Sequence, residues 1–423
     1  MTGLPNGWRR LTPSAVVAGE RSAITIGPFG SNLKTVDYRA SGVPLVFVRD
    51  IRQATFDRPS HYVTPEKAAQ LGSHVAEPGD VLITKMGDPP GDATVYTGRV
   101  PAVITADCIR MRVPAPHSPR YVAYALSAPS VREQIDHITR GVAQRKISLA
   151  RFRSGVTIPL APPSEQRRIV DILEDHLSRL DAADDYLDAA QRRLEAIEQV
   201  TLERLTAIGV EHQLGEVAAI QGGIQKQVKR RPVLNTFPFL RVANVTSTGL
   251  DLSEVHRIEL FAGELARYRL LDGDLLVVEG NGSPSQIGRA ATWDGSIKDC
   301  VHQNHLIRVR PAPGLLPEYL EAAWNAAGNR RALTALASST SGLYTLSVSK
   351  LQTLTIRVPS PEVQARVAVE VRSIRDARSA LDKAVADARQ RAGALRRSLL
   401  AAAFSGRLTG RVSDMDLAEE LVS

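Results

Sequence analysis

The sequence predicts an α+β protein in which two mixed α/β domains alternate with two long α-helices. Three features carry this prediction: an apolar repeat at steps of four and three in two segments, similar β-rich runs ahead of each segment, and a nearly constant offset between the copies. Apolar residues at those steps form one stripe along a helix, as in a coiled coil. Because each stripe needs a partner, we expect the two helices to pair as an antiparallel coiled coil.

The offset between the copies divides the chain into five segments. Pro163 to Gln166 match Pro361 to Gln364 at an offset of 198 residues, and Pro44 to Ile51 match Pro238 to Val245 at 194. Repetition of a domain together with its helix indicates a tandem duplication. The predicted segments are a first domain at 1–163, a central helix at 164–209, a second domain at 210–360, a distal helix at 361–409 and an acidic tail at 410–423.

The apolar stripes name the residues that we expect to be buried between the helices. Charged residues crowd the positions between them, as on the solvated faces of a coiled coil. Ser164 is predicted to cap the first helix, and Gly209 is predicted to end it. The expected seam consists of Ile169, Leu173, Leu180, Leu187, Leu194 and Ile197 in the first helix and Val367, Val371, Ile374, Leu381, Val385, Leu395 and Leu399 in the second.

Composition suggests where the protein works. Hydrophobic residues make up 43% of the chain, which is ample for real cores. No window approaches the roughly 18 uninterrupted apolar residues of a membrane span, and the N-terminus lacks the apolar run of a signal peptide. The two cysteines, Cys108 and Cys300, are far apart, which fits a reducing compartment. We expect a cytoplasmic protein without a membrane segment.

The charge balance is compatible with a polyanionic partner. The formal net charge is +8 and the sequence pI is about 9.6. One basic run between Arg140 and Arg153 contains no acidic residue, and a second run, from Lys226 to Arg231, follows Gly222 and Gly223. Each run taken alone is explained equally well by a solvated basic face. Two runs in two repeated units favour a polyphosphate partner.

No catalytic or metal-binding constellation stands out. Asp88 to Gly91 begin like the Asp-Pro-Pro-aromatic loop of adenine-N6 methyltransferases but lack the aromatic residue, so we interpret them as a turn. Gly280 to Ser283 lack the ending of a phosphate-binding loop. Cys300, His302 and His305 lack a fourth metal ligand. We therefore predict that this chain is not an enzyme and holds no metal.

Two motifs resemble those of a known family. Residues 158–170 read Ile-Pro-Leu-Ala-Pro-Pro-Ser-Glu-Gln-Arg-Arg-Ile-Val, and residues 395–408 read Leu-Arg-Arg-Ser-Leu-Leu-Ala-Ala-Ala-Phe-Ser-Gly-Arg-Leu. They are similar to the central and distal conserved regions of the specificity (S) subunit of type I restriction-modification systems. The second copy departs from the first at the start of its helix, where Glu362 is displaced by one residue relative to Glu165.

The resemblance implies a DNA-reading adaptor that binds no cofactor itself. The duplicated domains would be target recognition domains, each reading one half of a bipartite target on double-stranded DNA, and the helices would set their spacing while holding two methyltransferase subunits. Those subunits would carry S-adenosylmethionine and methylate adenine at N6. Restriction/translocase subunits would add cleavage that uses ATP and Mg²⁺. A non-catalytic coiled-coil scaffold joining two protein-binding modules is the alternative, which salt-dependent DNA binding would distinguish.

Residue type then assigns the expected DNA contacts. Basic side chains from both runs would contact phosphates, namely Arg140, Arg145, Lys146, Lys226, Lys229 and Arg230. Long polar side chains on loops would read bases, namely Gln144, Asn281, Gln286 and Tyr344. Gln144 and Tyr344 each follow a glycine in the loop just ahead of the last strand of their domain.

Overall fold

A computed structural model describes residues 4–140, 145–246, 249–283, 286–340 and 343–409 of the chain. The chain forms two compact units, which we describe separately. Unit 1 comprises Met1–Tyr186 and Ala386–Ser423, and unit 2 comprises Leu187–Val385. Each unit therefore contains one globular part together with a portion of each long helix.

Unit 1 begins with a globular part of short strands and helices. Its strands are β1 (Arg9–Leu11), β2 (Ile24–Ile26), β3 (Val43–Val46), β4 (Tyr62–Val63), β5 (Val75–Ala76), β6 (Val81–Thr84), β7 (Ala93–Val95), β8 (Ala102–Ile104), β9 (Cys108–Met111), β10 (Thr139–Arg140), β11 (Lys146–Ile147) and β12 (Ile158–Leu160). Its helices are α1 (Pro13–Val16), α2 (Val48–Gln53), α3 (Pro65–Gln70), α4 (Pro119–Ser127), α5 (Pro129–Ile138) and α6 (Leu149–Gly155), followed by the start of the long helix α7 (Pro163–Thr206).

Two four-stranded sheets form the centre of this globular part. One has the strand order β2-β9-β6-β7, and the other has the order β4-β3-β8-β5, in which β3 and β8 are parallel. The central strand β6 is buried along its whole length. Val81 and Ile83 pack in a cluster with α4 and the start of α7, whereas Leu82 packs in a second cluster. An uninterrupted apolar strand is what a sheet covered on both faces requires.

Unit 2 repeats this plan. Its strands are β13 (Val210–Gln213), β14 (Ala218–Gly222), β15 (Thr236–Leu240), β16 (His256–Glu259), β17 (Leu275–Val278), β18 (Gly280–Asn281), β19 (Ala290–Thr292), β20 (Val301–His302), β21 (Leu306–Pro311), β22 (Ser338–Thr340), β23 (Leu343–Thr345) and β24 (Thr355–Val358). Its helices are α8 (Leu214–Val217), α9 (Glu264–Tyr268), α10 (Pro317–Asn325), α11 (Ala327–Leu336) and α12 (Val348–Gln352), followed by the start of the long helix α13 (Pro361–Phe404).

The sheets of unit 2 have the topology of those in unit 1. The order β14-β21-β17-β19 corresponds to β2-β9-β6-β7, and the parallel pair β15 and β20 corresponds to β3 and β8. Even the turn before the central strand is repeated, because Gly79 and Gly273 both have positive φ, at 95° and 86°, a conformation open to glycine. The predicted duplicated α+β fold is confirmed.

The long helices pair within unit 1. Ile169 and Leu173, near the start of α7, share a buried cluster with Leu399 and Phe404, near the end of α13. Because the start of one helix meets the end of the other, the pairing is antiparallel.

The long helices also pair within unit 2, where the later part of α7 meets the first part of α13. Leu202 shares a buried cluster with Val367 and Val371. Next to this apolar contact along the two helices, Arg378 donates a hydrogen bond to Glu198 at 2.8 Å and forms an ion pair with it. The pairing here is again antiparallel, and the predicted coiled-coil helices are confirmed.

The seam follows the prediction throughout α13 but departs from it in α7. All seven predicted seam residues of α13 are buried or half-buried, as are those of α7 up to Leu194. Ile197, however, is 49% exposed, and its neighbour Glu198 faces the partner helix instead. An ideal helix has 3.6 residues per turn, so a strict seven-residue repeat drifts by about 20° per heptad. Ile197 lies four heptads after Ile169, and there the accumulated drift is close to the angle between neighbouring residues of a helix. The next fully buried position is Leu202, about one turn later.

The start of α7 also differs in detail from the prediction. The helix begins at Pro163, so Ser164 lies inside the first turn instead of capping it. Proline suits this position because its missing N–H would have no partner inside the helix. At the other end α7 stops at Thr206, and Gly209 has φ 116° where a Cβ would overlap the backbone of Val358.

A buried glutamine fixes the start of α7. Gln166 is fully buried, and its Oε1 accepts a hydrogen bond from the backbone N–H of Ser118 at 2.9 Å. Its Nε2 donates to the carbonyl oxygen of Ala161 at 2.7 Å. The side chain therefore joins the strand before the helix to the N-terminus of α4.

The second copy repeats this arrangement. Gln364 is also fully buried, accepts from the N–H of Leu316 at 2.8 Å and donates to the carbonyl oxygen of Pro359 at 2.9 Å. The displaced Glu362 therefore leaves the geometry of the helix start unchanged, because the glutamine makes these bonds in both copies.

Among the described residues, no helix combines the length and apolar content that crossing a membrane requires.

Candidate nucleic-acid interface

In unit 1 the first basic run lies beside the loop that follows the central strand β6. Strands β10 and β11 form a hairpin in which Arg140 faces Lys146. Lys146 also forms a β-bridge with Met86, and the carbonyl oxygen of Arg145 accepts a hydrogen bond from the N–H of Gly87 at 3.3 Å. The hairpin thus places Arg145 and Lys146 beside loop 85–92.

A second loop, at residues 27–38, borders the same region. Gly27 passes so close to the backbone of Thr105 that a Cβ would overlap its carbonyl oxygen, which explains why glycine is needed there. Phe29 is 66% exposed, and Nζ of Lys85 lies 5.9 Å from the centroid of its ring. We call the surface formed by loop 27–38, loop 85–92 and the hairpin the loop face of unit 1.

The charges of this loop face are partly balanced. Arg145 lies 3.4 Å from Asp88 and 3.6 Å from Asp136, and its side chain is 38% exposed. Lys146 is exposed. An exposed amine is available to a phosphate at once, whereas the guanidinium of Arg145 must exchange carboxylate partners for a phosphate. For Arg140 the structure describes the backbone, and Gln144 lies outside the described residues.

Unit 2 has the corresponding loop face at residues 279–283 and 286–289 and at strands β22 and β23. Asn281 faces Tyr344 across β18 and β23, so these two predicted base readers are brought together. Tyr344 is half-buried against the core of unit 2, and for Asn281 the backbone is described. Gln286 is exposed and accepts a hydrogen bond from Arg289 at 3.3 Å.

The second basic run follows β14, in the loop equivalent to loop 27–38 of unit 1, and one of its residues corrects an assignment. Arg230 donates two hydrogen bonds of 2.7 Å to the carboxylate of Glu264, and only 11% of its side chain is exposed. The hydrogen bonds from Arg230 lower the pKa of the Glu264 carboxyl. Both Arg230 and Lys229 lie against the ring of Phe261, at 4.5 and 5.5 Å from its centroid. Arg230 is therefore part of a structural ion pair, whereas Lys226 and Lys229 are exposed.

The three residues considered as metal ligands, Cys300, His302 and His305, differ in burial and have different partners. His302 is fully buried, its Nδ1 donates to the carbonyl oxygen of Leu306 at 2.9 Å, and burial lowers its pKa to about 4. Burial raises the pKa of the Cys300 thiol to about 12. His305 pairs instead with Glu279 at 2.9 Å. In the ranges that the structure describes, no three His, Cys, Asp or Glu side chains gather as metal ligands would.

Sequence reasoning missed four polar residues that line the two loop faces. Lys85 and Asp107 stand at the end of β6 and the start of β9, and Glu279 and His305 stand at the same places in unit 2. His305 was considered only as a metal ligand, and each of the other three is a single polar residue that no local pattern distinguishes. Only the offset between the two copies could have placed them together.

The chain matches two known proteins along nearly its whole length, although no protein-family model matches it. It is 23% identical over 435 residues to the specificity subunit of the type I restriction enzyme EcoKI of Escherichia coli (strain K12), covering 96% of this chain and 90% of that protein. It is 24% identical over 426 residues to the StySPI specificity subunit of Salmonella potsdam, with coverage of 96% and 90%.

Solved structures share the fold. A chain from a study of complex assembly and conformational transition of the type I R-M system superposes with a TM-score of 0.70, at 18% identity, over 96% of this chain and 100% of that one. The HsdS subunit from Thermoanaerobacter tengcongensis gives a TM-score of 0.52, also at 18% identity, over 96% and 99%. The resemblance predicted from the two motifs is confirmed: along nearly its whole length this chain is similar to specificity subunits of type I restriction enzymes.

Proposed function

We propose that the chain is the DNA-reading specificity subunit of a type I restriction-modification complex. The loop face of each unit reads one half of a bipartite target on double-stranded DNA. The observation that supports this proposal is the duplication itself: the first basic run of unit 1 and the facing residues Asn281 and Tyr344 of unit 2 lie at equivalent loops of two units with one topology. Sequence similarity to two specificity subunits supports the same role.

The long helices have a separate part in this proposal. They set the spacing between the two half-sites and hold two methyltransferase subunits, which carry S-adenosylmethionine and methylate adenine. Restriction/translocase subunits add cleavage of unmethylated DNA with ATP and Mg²⁺. This chain binds none of these cofactors, because its part is to bind and align the DNA.

The salt dependence of DNA binding tests the proposal. Binding of the full chain to duplex DNA should weaken with salt, with a slope near 0.9 per neutralised phosphate in a double-logarithmic plot. Replacing both Arg145 and Lys146 with Ala should reduce the slope by up to about two units, with the larger share from Lys146 because Arg145 already has carboxylate partners.

Two further variants serve as controls. Lys383→Ala removes an exposed charge from the outer face of α13, and Arg230→Ala removes the arginine that is paired with Glu264. Both should leave the slope unchanged. A full chain that binds DNA without any salt slope would instead be the protein-binding scaffold, and the proposal would be abandoned.

A further inference from the structure

We propose that the side chains that distinguish bases are Lys85 and Asp107 in unit 1 and Glu279 and His305 in unit 2. This inference rests on the proposed function and adds to it the positions at which sequence is read. The two units have the same backbone topology. They carry different side chains at two equivalent positions, Lys85 and Glu279 at the first, and Asp107 and His305 at the second.

In unit 1 the pair stands at the end of the central sheet. Thr84 faces Cys108 as the last pair of β6 and β9. The next residues are Lys85 and Asp107, and the N–H of Lys85 donates to the carbonyl oxygen of Asp107 at 2.7 Å. Both side chains are half-buried. They therefore lie side by side where the sheet opens onto the loop face.

In unit 2 the same positions are occupied by Glu279 and His305. Val278 faces Leu306 as the last pair of β17 and β21, and the N–H of Glu279 donates to the carbonyl oxygen of His305 at 3.0 Å. Nδ1 of His305 lies 2.9 Å from Oε2 of Glu279, and the two side chains are 57% and 33% exposed. This contact orients both side chains while leaving each in reach of solvent.

The hairpin side of the loop face is also equivalent in the two units. The carbonyl oxygen of Lys85 accepts a hydrogen bond from the N–H of Ile147 at 2.9 Å, and that of Glu279 accepts from the N–H of Leu346 at 2.8 Å. The backbone at these positions is thus held from both sides in the same way. The two side chains can differ without any change in the fold.

At the opposite end of the same strand pair, in contrast, one ion pair keeps its chemistry in both units. Asp80 accepts two hydrogen bonds from Arg112 at 3.0 and 2.9 Å, and Asp274 accepts two from Arg310 at 2.6 and 2.7 Å. At the loop face, in contrast, a lysine is replaced by a carboxylate and a carboxylate by a histidine. A donor and an acceptor have changed places at the ends of two equivalent strand pairs, as two readers of different half-sites require.

The chemistry of each residue fits base edges in the major groove. A lysine amine donates to O6 and N7 of guanine, and a carboxylate accepts from the N4 amino group of cytosine. Lys85 now donates to the carbonyl oxygen of Ala106 at 3.1 Å, a bond that it can exchange for a base. Asp107 and Glu279 supply acceptors.

Exchanging the pairs tests the inference. Full-length wild-type chain and the double variant Lys85→Glu/Asp107→His would each select duplexes from a randomised pool, and the enriched sequences would be compared. The variant should change preference by about tenfold or more at one or two base pairs of one half-site, the scale of a well-formed side-chain contact to a base. The other half-site should be retained. The reciprocal variant Glu279→Lys/His305→Asp should change only the other half-site.

Arg99→Glu provides the matched control, because it reverses an exposed positive charge in the same unit beyond the far end of β7. It should leave both half-sites unchanged. If a double variant fails to fold by circular dichroism, Lys85→Met and Asp107→Asn decide, and each should lose about tenfold discrimination at one base pair. Variants that fold and select the wild-type sequence, or that change both halves together, overturn the inference alone. A wild-type chain that enriches no bipartite sequence refutes the proposed function as well.

Discussion

Replacing Gln166 with Ala tests whether this residue ties the long helix to the globular part of unit 1. The side chain is fully buried and makes hydrogen bonds to the N–H of Ser118 and the carbonyl oxygen of Ala161. Truncation leaves both backbone groups without their partner and opens a cavity at the start of α7. The matched residue Gln364 offers the same test in unit 2.

The expected loss follows from the groups left unpaired. A buried donor or acceptor without a partner costs about 1 to 3 kcal/mol, and Ala161 is only 3% exposed. Two such groups predict that Gln166→Ala lowers the free energy of unfolding by about 2 to 6 kcal/mol. Gln191→Ala is the control, because Gln191 donates to Asp382 at 2.8 Å on the exposed surface of the helix pair. A surface change of this kind costs within about 0.5 kcal/mol.

Urea denaturation would measure the free energies, and hydrogen exchange would locate the effect. In Gln166→Ala the amide of Ser118 should lose protection, whereas in Gln364→Ala the amide of Leu316 should lose it, because these are the donors to the two side chains. If Gln166→Ala costs no more than Gln191→Ala, or if protection at Ser118 is unchanged, the glutamine does not hold the helix start.

Two further predictions concern pH and spacing. Burial lowers the pKa of His302 to about 4 from 6.5, so its imidazole stays neutral in the folded protein. The difference between the folded and unfolded pKa stabilises the folded protein by up to about 3 kcal/mol. This stabilisation is complete above pH 6.5 and is lost as pH falls through 4. Acid titration of unfolding should therefore be flatter between these values in His302→Leu, and an identical slope would contradict the assignment. Seven residues inserted into both helices, after Ala190 and after Ala388, should add about 10.5 Å and lengthen the gap in the selected DNA sequence by about three base pairs. An unchanged gap would mean that the helices only tether the units.

The architecture could be predicted because its signals are periodic. The offset near 198 revealed the duplication, and the seven seam residues that the heptad pattern named in α13 are all buried or half-buried. The same rule failed at Ile197 because the seam of α7 follows the natural helical period more closely than the heptad. A pattern fitted to the first heptads cannot show where that drift accumulates.

The site was predictable only in part, because contacts between distant residues leave no local pattern. The basic hairpin was found from its run of charges, and the structure places it at the loop face. Arg230 looked equally free in the sequence, but its partner Glu264 is 34 residues away. The role of Gln166 was not predicted, since nothing nearby in the sequence identifies the two backbone groups to which it hydrogen-bonds.

Divergence in charge between the long helices explains why they pair with each other. On α7 acidic residues outnumber basic ones, whereas on α13 basic residues outnumber acidic ones. In unit 2 Arg378 meets Glu195 at 3.0 Å and Glu198 at 2.8 Å, and in unit 1 Arg396 meets Asp181. Exposed pairs each contribute about 0.2 to 1 kcal/mol, and like charges cost similar amounts. Just after a duplication the two helices would be identical, and either one could pair with a copy of itself. With the present sequences such a pair would lose these ion pairs and bring like charges together, so pairing of α7 with α13 is favoured.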